Sequence, residues 1–147
     1  MSPLSHLIRT NDVAAIKTLL TRQPALANQA DQRGFSPLIL ATYMGSTAVT
    51  QALIECGAKV NAQDASGNTA LMGVTFKGNP ELVTLLIDHG AELDLQNKEG
   101  STALMFAVNY GQAEIAKLLI AKGADTTIKD VKGLSAMDYA AQKGVVL

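Results

Sequence analysis

Glycines recur along this chain at a fixed interval of 33 residues. One series comprises the glycines that precede alanine, namely Gly57, Gly90 and Gly123. Two further series keep the same interval, and they run through Gly34, Gly67, Gly100 and Gly133 and through Gly45, Gly78, Gly111 and Gly144. A period of this length is typical of a stacked array of repeats that presents one long surface. The spacing therefore favours a binding protein over an enzyme with a single buried site.

The interval divides the 147 residues into a degenerate first copy, three full copies and a partial last copy. We expect one domain made of residues 1–30, 31–63, 64–96, 97–129 and 130–147. Each full copy predicts two short helices, the first of which follows a hydroxyl side chain that can accept a bond from a free first-turn amide. These side chains are Ser36, Thr69, Thr102 and Ser135. The second helix is clearest at Asn79-Pro80-Glu81, where a cap, a proline and an acidic residue follow one another.

Polar segments link one copy to the next and contain a turn signal. An aspartate or asparagine stands three residues before a glycine in each segment, as in Asp64-Ala65-Ser66-Gly67. Such residues favour a tight turn, so each link is predicted to project as a hairpin.

The motifs in these copies resemble those of a known family. Residues 31–41, Asp-Gln-Arg-Gly-Phe-Ser-Pro-Leu-Ile-Leu-Ala, resemble the opening D-x-x-G-x-T-P-L-H-x-A of the ankyrin repeat. Residues 57–62, Gly-Ala-Lys-Val-Asn-Ala, resemble its close, G-A-x-V-N-A. The resemblance covers nearly the whole chain and implies an all-α solenoid of about five helix–turn–helix repeats with β-hairpin-like tips. Two departures stand out. The histidine of the motif is replaced by Ile39, Met72, Met105 and Asp138, and Gly73 lies inside a first helix, where glycine costs about 1 kcal/mol relative to alanine.

Composition argues against several classes of partner. The net charge is −1 and the basic residues are scattered, which disfavours nucleic acid. The chain has no apolar run of about 18 residues, and its first residues do not resemble a signal peptide, so we expect no membrane partner. Cys56 is the only cysteine, which excludes an internal disulfide and suits a reducing compartment. We expect a cytoplasmic protein.

Residues that could support catalysis or bind a metal are few and dispersed. His6 and His89 are the only histidines and fall in the first and third copies, too far apart for a shared metal or a catalytic dyad. Cys56 has no histidine in its own copy to activate it. Aspartates such as Asp31 and Asp64 recur with the repeat, which indicates turns, and no phosphate-binding glycine motif is present. We therefore predict no enzymatic activity, no cofactor and no metal site.

The resemblance to ankyrin repeats implies a concave binding face built from hairpin tips and first helices. The candidate residues on this face are Arg33, Phe35, Tyr43, Met44, Asn68, Phe76, Lys77, Lys98, Asn109 and Tyr110. Four of the six aromatic residues fall at these surface positions, whereas Phe106 is expected to pack between copies. Because aromatic residues and arginine are enriched among interface anchors, this concentration favours protein binding. The alternative is that the rings pack along their own array, and three of the candidates are basic, which favours an acidic or mixed partner surface.

Three functions remain open from the sequence. The first is a non-enzymatic protein–protein interaction module with an unidentified partner. The second is an inhibitor or immunity-like protein that blocks a specific enzyme or toxin. The third is self-association through the incomplete last copy, whose apolar tail, residues 145–147, either folds against Leu118 and Leu119 or pairs with another chain. We expect a monomer, with a dimer through this end as the alternative.

Overall fold

The computed structural model describes residues 2–147 and shows a stack of short helices. The helices are α1 (Pro3–Arg9), α2 (Val13–Arg22), α3 (Pro37–Tyr43), α4 (Thr47–Glu55), α5 (Ala70–Lys77), α6 (Pro80–Asp88), α7 (Ala103–Asn109), α8 (Ala113–Ala121) and α9 (Ala136–Lys143). A short 3₁₀ helix, Pro24–Asn28, follows α2. Within the described residues the helices form four successive pairs, and α9 follows them alone.

Each first helix from α3 onward begins at the predicted hydroxyl residue. The side chains of Ser36, Thr69, Thr102 and Ser135 accept a backbone N–H three residues ahead at 3.1–3.3 Å. Ser135 also donates its own N–H to Asp138 Oδ2 at 2.9 Å, which completes a reciprocal cap. Asn79 caps α6 in the same way, with Leu82 donating its N–H at 3.1 Å. These caps fix where the helices start, as the sequence predicted.

The helices form two layers around a continuous core. The first helices pack side by side, α1 on α3, α3 on α5, α5 on α7 and α7 on α9. Behind them α2 packs on α4 and α4 on α6. Apolar side chains from both layers are completely buried, such as Ala41 and Val74 on first helices and Leu82 and Leu119 on second helices. The fold is therefore the all-α repeat solenoid that the sequence predicted.

Tight turns project between the helix pairs. In each turn one side chain, such as that of Asp64, accepts two backbone N–H groups, here from Ser66 at 2.9 Å and Asn68 at 2.8 Å. Strand pairing among the described residues is limited to two isolated bridges, Gln63 with Thr69 and Lys129 with Ser135. The aspartates of this register therefore form turns, and the hairpin-like tips are only a minor addition to the helices.

Side-chain amides connect each repeat to the next. Asn61 donates to the carbonyl of Gly90 at 3.1 Å and accepts the N–H of Glu92 at 2.8 Å. The tips also touch, because Lys98 donates its N–H to the Ser66 carbonyl at 3.0 Å. Gly67 has a φ of +81°, and a Cβ there would lie 2.9 Å from the Lys98 nitrogen. Glycine is required at this point because the two backbones approach so closely.

The C-terminal tail packs partly on the stack. Val145 and Leu147 are half-buried against the core, and Val145 donates its N–H to the Ala140 carbonyl at 2.8 Å. Val146 is 87% exposed. Two of the three apolar tail residues thus fold back onto the chain.

Candidate protein-binding face

Three aromatic side chains form an exposed row across successive first helices. Tyr43 on α3 is 65% exposed, Phe76 on α5 is 48% exposed and Tyr110, which caps the end of α7, is 54% exposed. All three lie near the carboxyl end of their helix, at equivalent or adjacent positions of the 33-residue interval. Because the first helices lie side by side, the rings come to one face of the stack.

The rings of this row are also held by their neighbours. Phe76 meets Tyr110 edge to face, with ring centroids 4.7 Å apart and planes at 86°. Phe106 stacks on Tyr110 with centroids 5.9 Å apart. Lys77 places its Nζ 4.0 Å from the centroid of Tyr43. The rings therefore pack along their own array, as the alternative interpretation expected, and yet keep about half of their surface in solvent.

Phe35 is less exposed than we expected for a ring at the first tip. It is half-buried, and the Arg33 guanidinium carbon lies 4.7 Å from its ring centroid. Arg33 is held there by Asp31, whose carboxylate is 3.2 Å from the guanidinium. The sequence could not reveal this cover because it depends on how the arginine folds back over its own turn.

Six candidate residues line a groove between the α3 and α5 repeats, which we call the N-terminal groove. They are Arg33, Phe35, Tyr43, Asn68, Phe76 and Lys77. The groove has a volume of about 460 Å³, and its further lining includes Arg9, Asp64, Gly73 and Phe106. Its walls are thus mainly aromatic and aliphatic, with charged groups at the rim.

A second groove, which we call the C-terminal groove, lies between helices α7 and α9 and the tips that precede α5, α7 and α9. Four candidates line it: Asn68, Lys98, Asn109 and Tyr110. It has a volume of about 840 Å³ and carries several polar side chains, including Asp130 and Tyr139. Asn68 and Phe106 line both grooves, so the two are continuous. The remaining candidate, Met44, is exposed at the end of α3.

Both grooves carry basic side chains without an ion-pair partner. Among residues 2–147, Arg9 and Lys77 at the N-terminal groove form no ion pair, and Asp64 is occupied by the two amides of its turn. In the same residues, Lys98, Lys132 and Lys143 at the C-terminal groove form none either. Both grooves therefore offer unpaired positive charge.

The C-terminal groove also contains a carboxylate that is paired within the groove. The Tyr139 hydroxyl donates to the Asp130 carboxylate. This hydrogen bond raises the pKa of Tyr139 to about 12 and lowers the pKa of Asp130. The carboxylate and the hydroxyl of this groove therefore satisfy each other.

Comparison with known families agrees with the repeats seen in the structure. A family model described as ankyrin repeats (3 copies) matches residues 1–64, 53–130 and 71–146. The chain belongs to the ankyrin repeat family. Ankyrin repeats are generally protein–protein interaction modules, and proteins built from them are typically non-enzymatic. No curated protein matches the chain.

The cysteine and the second histidine of this ankyrin stack lie at helix ends. Cys56 is half-buried and caps the end of α4, and His89 is exposed and caps the end of α6. Residues 2–147 bring no three histidine, cysteine, aspartate or glutamate side chains into a cluster able to hold a metal ion. In the same residues, every helix is too short or too polar to cross a membrane.

Two residues that line the grooves of this ankyrin stack, Phe106 and Gly73, are not among the binding residues predicted from the sequence. Phe106 was expected only to pack between copies, but it forms a wall of both grooves. The sequence presents Gly73 as an unfavourable helix residue and not as part of a surface. The 33-residue interval could have revealed the groove at Gly73, because large side chains occupy the equivalent positions of the neighbouring repeats.

Proposed function

We propose that this ankyrin repeat chain is a non-enzymatic interaction module that binds a partner protein on the concave face of its tips and first helices. The observation that carries the proposal is the row of Tyr43, Phe76 and Tyr110, which keep about half of their surface exposed on successive repeats. The proposed contact residues are the ten candidates, namely Arg33, Phe35, Tyr43, Met44, Asn68, Phe76, Lys77, Lys98, Asn109 and Tyr110.

The energetics of the row support this role. Exposed aromatic surface lowers solubility, and a contiguous exposed apolar patch commonly marks an interaction site. A tyrosine or phenylalanine that becomes buried at the centre of an interface can contribute about 2 kcal/mol or more. Phe76 and Tyr110 already contact each other, so they lose little side-chain freedom when a partner covers them.

The charge of the face indicates the chemistry of the partner. Arg33, Lys77 and Lys98 are exposed beside the rings. We infer that the partner surface is acidic or mixed, because complementary charge speeds association and excludes wrong partners.

The test removes two rings that touch each other and compares the result with a matched control. The partner is captured from the source organism on the full chain and purified, and its affinity is measured by calorimetry. Phe76→Ala combined with Tyr110→Ala should weaken binding by about 100-fold or more, while circular dichroism at the temperature of the measurement shows that the variant stays folded. Met137→Ala is the control, since Met137 on α9 is similarly exposed, at 47%, but lies outside both grooves. Unchanged affinity of the double variant would remove this site assignment.

Self-association through the last repeat is a second candidate, favoured by apolar exposure at that end. Met137 stands 33 residues after Leu104, which is buried, and Val146 is 87% exposed. Size-exclusion chromatography with light scattering tests this candidate separately, because a dimer of the unmodified chain that becomes a monomer in Met137→Ala would assign self-association to this end, and a strict monomer at high concentration would remove it. An inhibitor or immunity-like role is a narrower form of the first proposal, in which the captured partner is an enzyme or toxin.

Three further expectations accompany the proposal. We propose that residues 1–147 form one domain with repeats at 1–30, 31–63, 64–96, 97–129 and 130–147. A cytoplasmic location stays a prediction, as does the expectation that neither nucleic acid nor membrane is a partner.

A further inference from the structure

One helix position varies among the repeats in a way that shapes the N-terminal groove. The fourth residue of α3, α5, α7 and α9 is Leu40, Gly73, Phe106 and Tyr139, respectively, each 33 residues after the last. Leu40 is buried, and Phe106 and Tyr139 are half-buried. Only α5 among these four helices carries no side chain at this position.

The gap at Gly73 is not required by the backbone. Gly73 lies within the helix α5, and a Cβ built on it would meet no atom within 4 Å. Its backbone conformation is one that other residues adopt freely, unlike the left-handed glycines at the turns. Glycine inside a helix is less stable than alanine. The reason for a glycine here therefore lies outside the stability of the fold.

The gap opens into the N-terminal groove. Its walls are apolar side chains from three successive repeats, including Phe35, Leu40, Phe76 and Phe106. The volume of about 460 Å³ falls in the range of sites that enclose a small ligand or a side chain.

Positive charge surrounds this apolar space. Arg9, Arg33 and Lys77 line the groove, against the single carboxylate of Asp64. Arg33 is paired with Asp31, whereas Lys77 rests on the face of the Tyr43 ring, and Arg9 is exposed. Two cations are therefore available to a carboxylate that approaches the groove.

We propose that the N-terminal groove is an anchor pocket for one bulky apolar side chain from an acidic segment of the partner. The side chain fills the space above Gly73, and neighbouring aspartate or glutamate residues of the segment meet Arg9 and Lys77. The inference rests on the proposed function, since it assigns the partner's anchor within the same concave face.

The first test fills the pocket with the side chain that the next repeat carries. Gly73→Phe should weaken binding of the purified partner by about tenfold or more, the effect of losing one buried apolar side chain. Gly73→Leu should weaken binding to a similar extent, and Gly73→Ala should cause a smaller loss of affinity. Melting temperatures of all three should equal or exceed that of the unmodified chain. Affinity that is unaffected by both large substitutions would overturn the proposal, as would a melting temperature that falls in step with affinity.

The second test uses defined peptides on the unmodified full chain. The probes are three capped synthetic peptides: Gly-Asp-Phe-Glu-Gly, Gly-Asp-Ala-Glu-Gly and Gly-Lys-Phe-Lys-Gly. Their binding to the ¹⁵N-labelled protein is followed by nuclear magnetic resonance. The acidic phenylalanine peptide should shift the amides of Gly73, Phe76 and Lys77 in a saturable manner at millimolar concentration. The other two should bind at least several-fold more weakly. Equal responses to all three peptides, or no response, would contradict the proposal.

The outcome separates this inference from the proposed function. If the Phe76→Ala and Tyr110→Ala variant loses the partner while Gly73→Phe keeps it, the concave face is the interface and the anchor pocket is wrong. If neither variant loses the partner, both proposals fail.

Discussion

The two grooves of this ankyrin repeat chain are built on the same backbone and differ in what fills one helix position. In the C-terminal groove that position holds Phe106 and Tyr139, which pack on neighbouring side chains. In the N-terminal groove Leu40 and Phe106 also occupy it, but Gly73 stands between them in the stack and leaves the space open. The C-terminal groove is shaped by the side chains at this position, and the N-terminal groove by the side chain that Gly73 lacks.

This difference shows how a repeat array acquires an individual surface. The positions that build the stack, such as the caps Thr69 and Thr102, keep the same chemistry from copy to copy. A position on the exposed side of a first helix is free to vary because each repeat is stabilised by its own helices and its direct neighbours. Removing one side chain there alters the groove without altering the fold.

Of Phe106→Ala, Gly73→Ala and Tyr139→Phe, the first should change the stability of the chain most. The ring is half-buried and stacks on Tyr110, so its loss should destabilise the chain by about 2 kcal/mol. Urea unfolding followed by circular dichroism measures the change. A loss below about 0.5 kcal/mol would mean that the ring adds little to the C-terminal half and that the two grooves differ less than their geometry indicates.

Alanine at the equivalent position one repeat earlier, in Gly73→Ala, should have the opposite effect on the stability of the chain. Gly73→Ala should stabilise the chain by about 1 kcal/mol, because alanine is the better helix former and its methyl group points into open space. Phe106→Ala and Gly73→Ala are matched controls for each other, because both place an alanine at the same position of the repeat. Destabilisation by Gly73→Ala would show that the glycine serves the fold, which would contradict the account of the gap.

Tyr139→Phe tests the polar link of the C-terminal groove, with an expected effect no larger than that of Gly73→Ala. Losing the hydrogen bond to Asp130 should destabilise the chain by about 1 kcal/mol at neutral pH. The folded chain holds the hydroxyl proton up to a pKa of about 12, whereas the unfolded chain releases it near the ordinary pKa of 10. Stabilisation by this link is therefore complete below pH 10 and is lost as the pH rises toward about 12.

Denaturant unfolding of both proteins across this alkaline range checks the Tyr139 prediction. The stability difference between the unmodified chain and Tyr139→Phe should shrink as the pH rises. A difference that stays constant up to about pH 12 would mean that the hydroxyl titrates alike in the folded and unfolded chains.

The architecture was predictable because its determinants are local and repeated. A hydroxyl before each first helix, a glycine after each helix from α3 onward and an aspartate or asparagine in each turn act within a few residues, as the caps at Ser36 and Ser135 confirm. The periodic spacing then fixed which helices pack together. These signals recur in several copies, so the irregularity of one copy does not obscure them.

The grooves were harder to predict because they depend on contacts between repeats. The cover of Arg33 over Phe35 depends on the conformation that the arginine side chain adopts. The wall formed by Phe106 depends on the neighbouring Gly73, which the sequence presents only as a weak helix residue. A surface defined by an absent side chain becomes visible only when the equivalent positions of adjacent helices are seen together.

Chemical-shift mapping of the ¹⁵N-labelled full chain with its purified partner tests the central claim most directly. The account predicts that the largest changes fall on the amides of Gly73, Phe76, Lys77 and Tyr110, with small changes along α4, α6 and α8. The largest changes on those second helices, with the four amides unmoved, would contradict it.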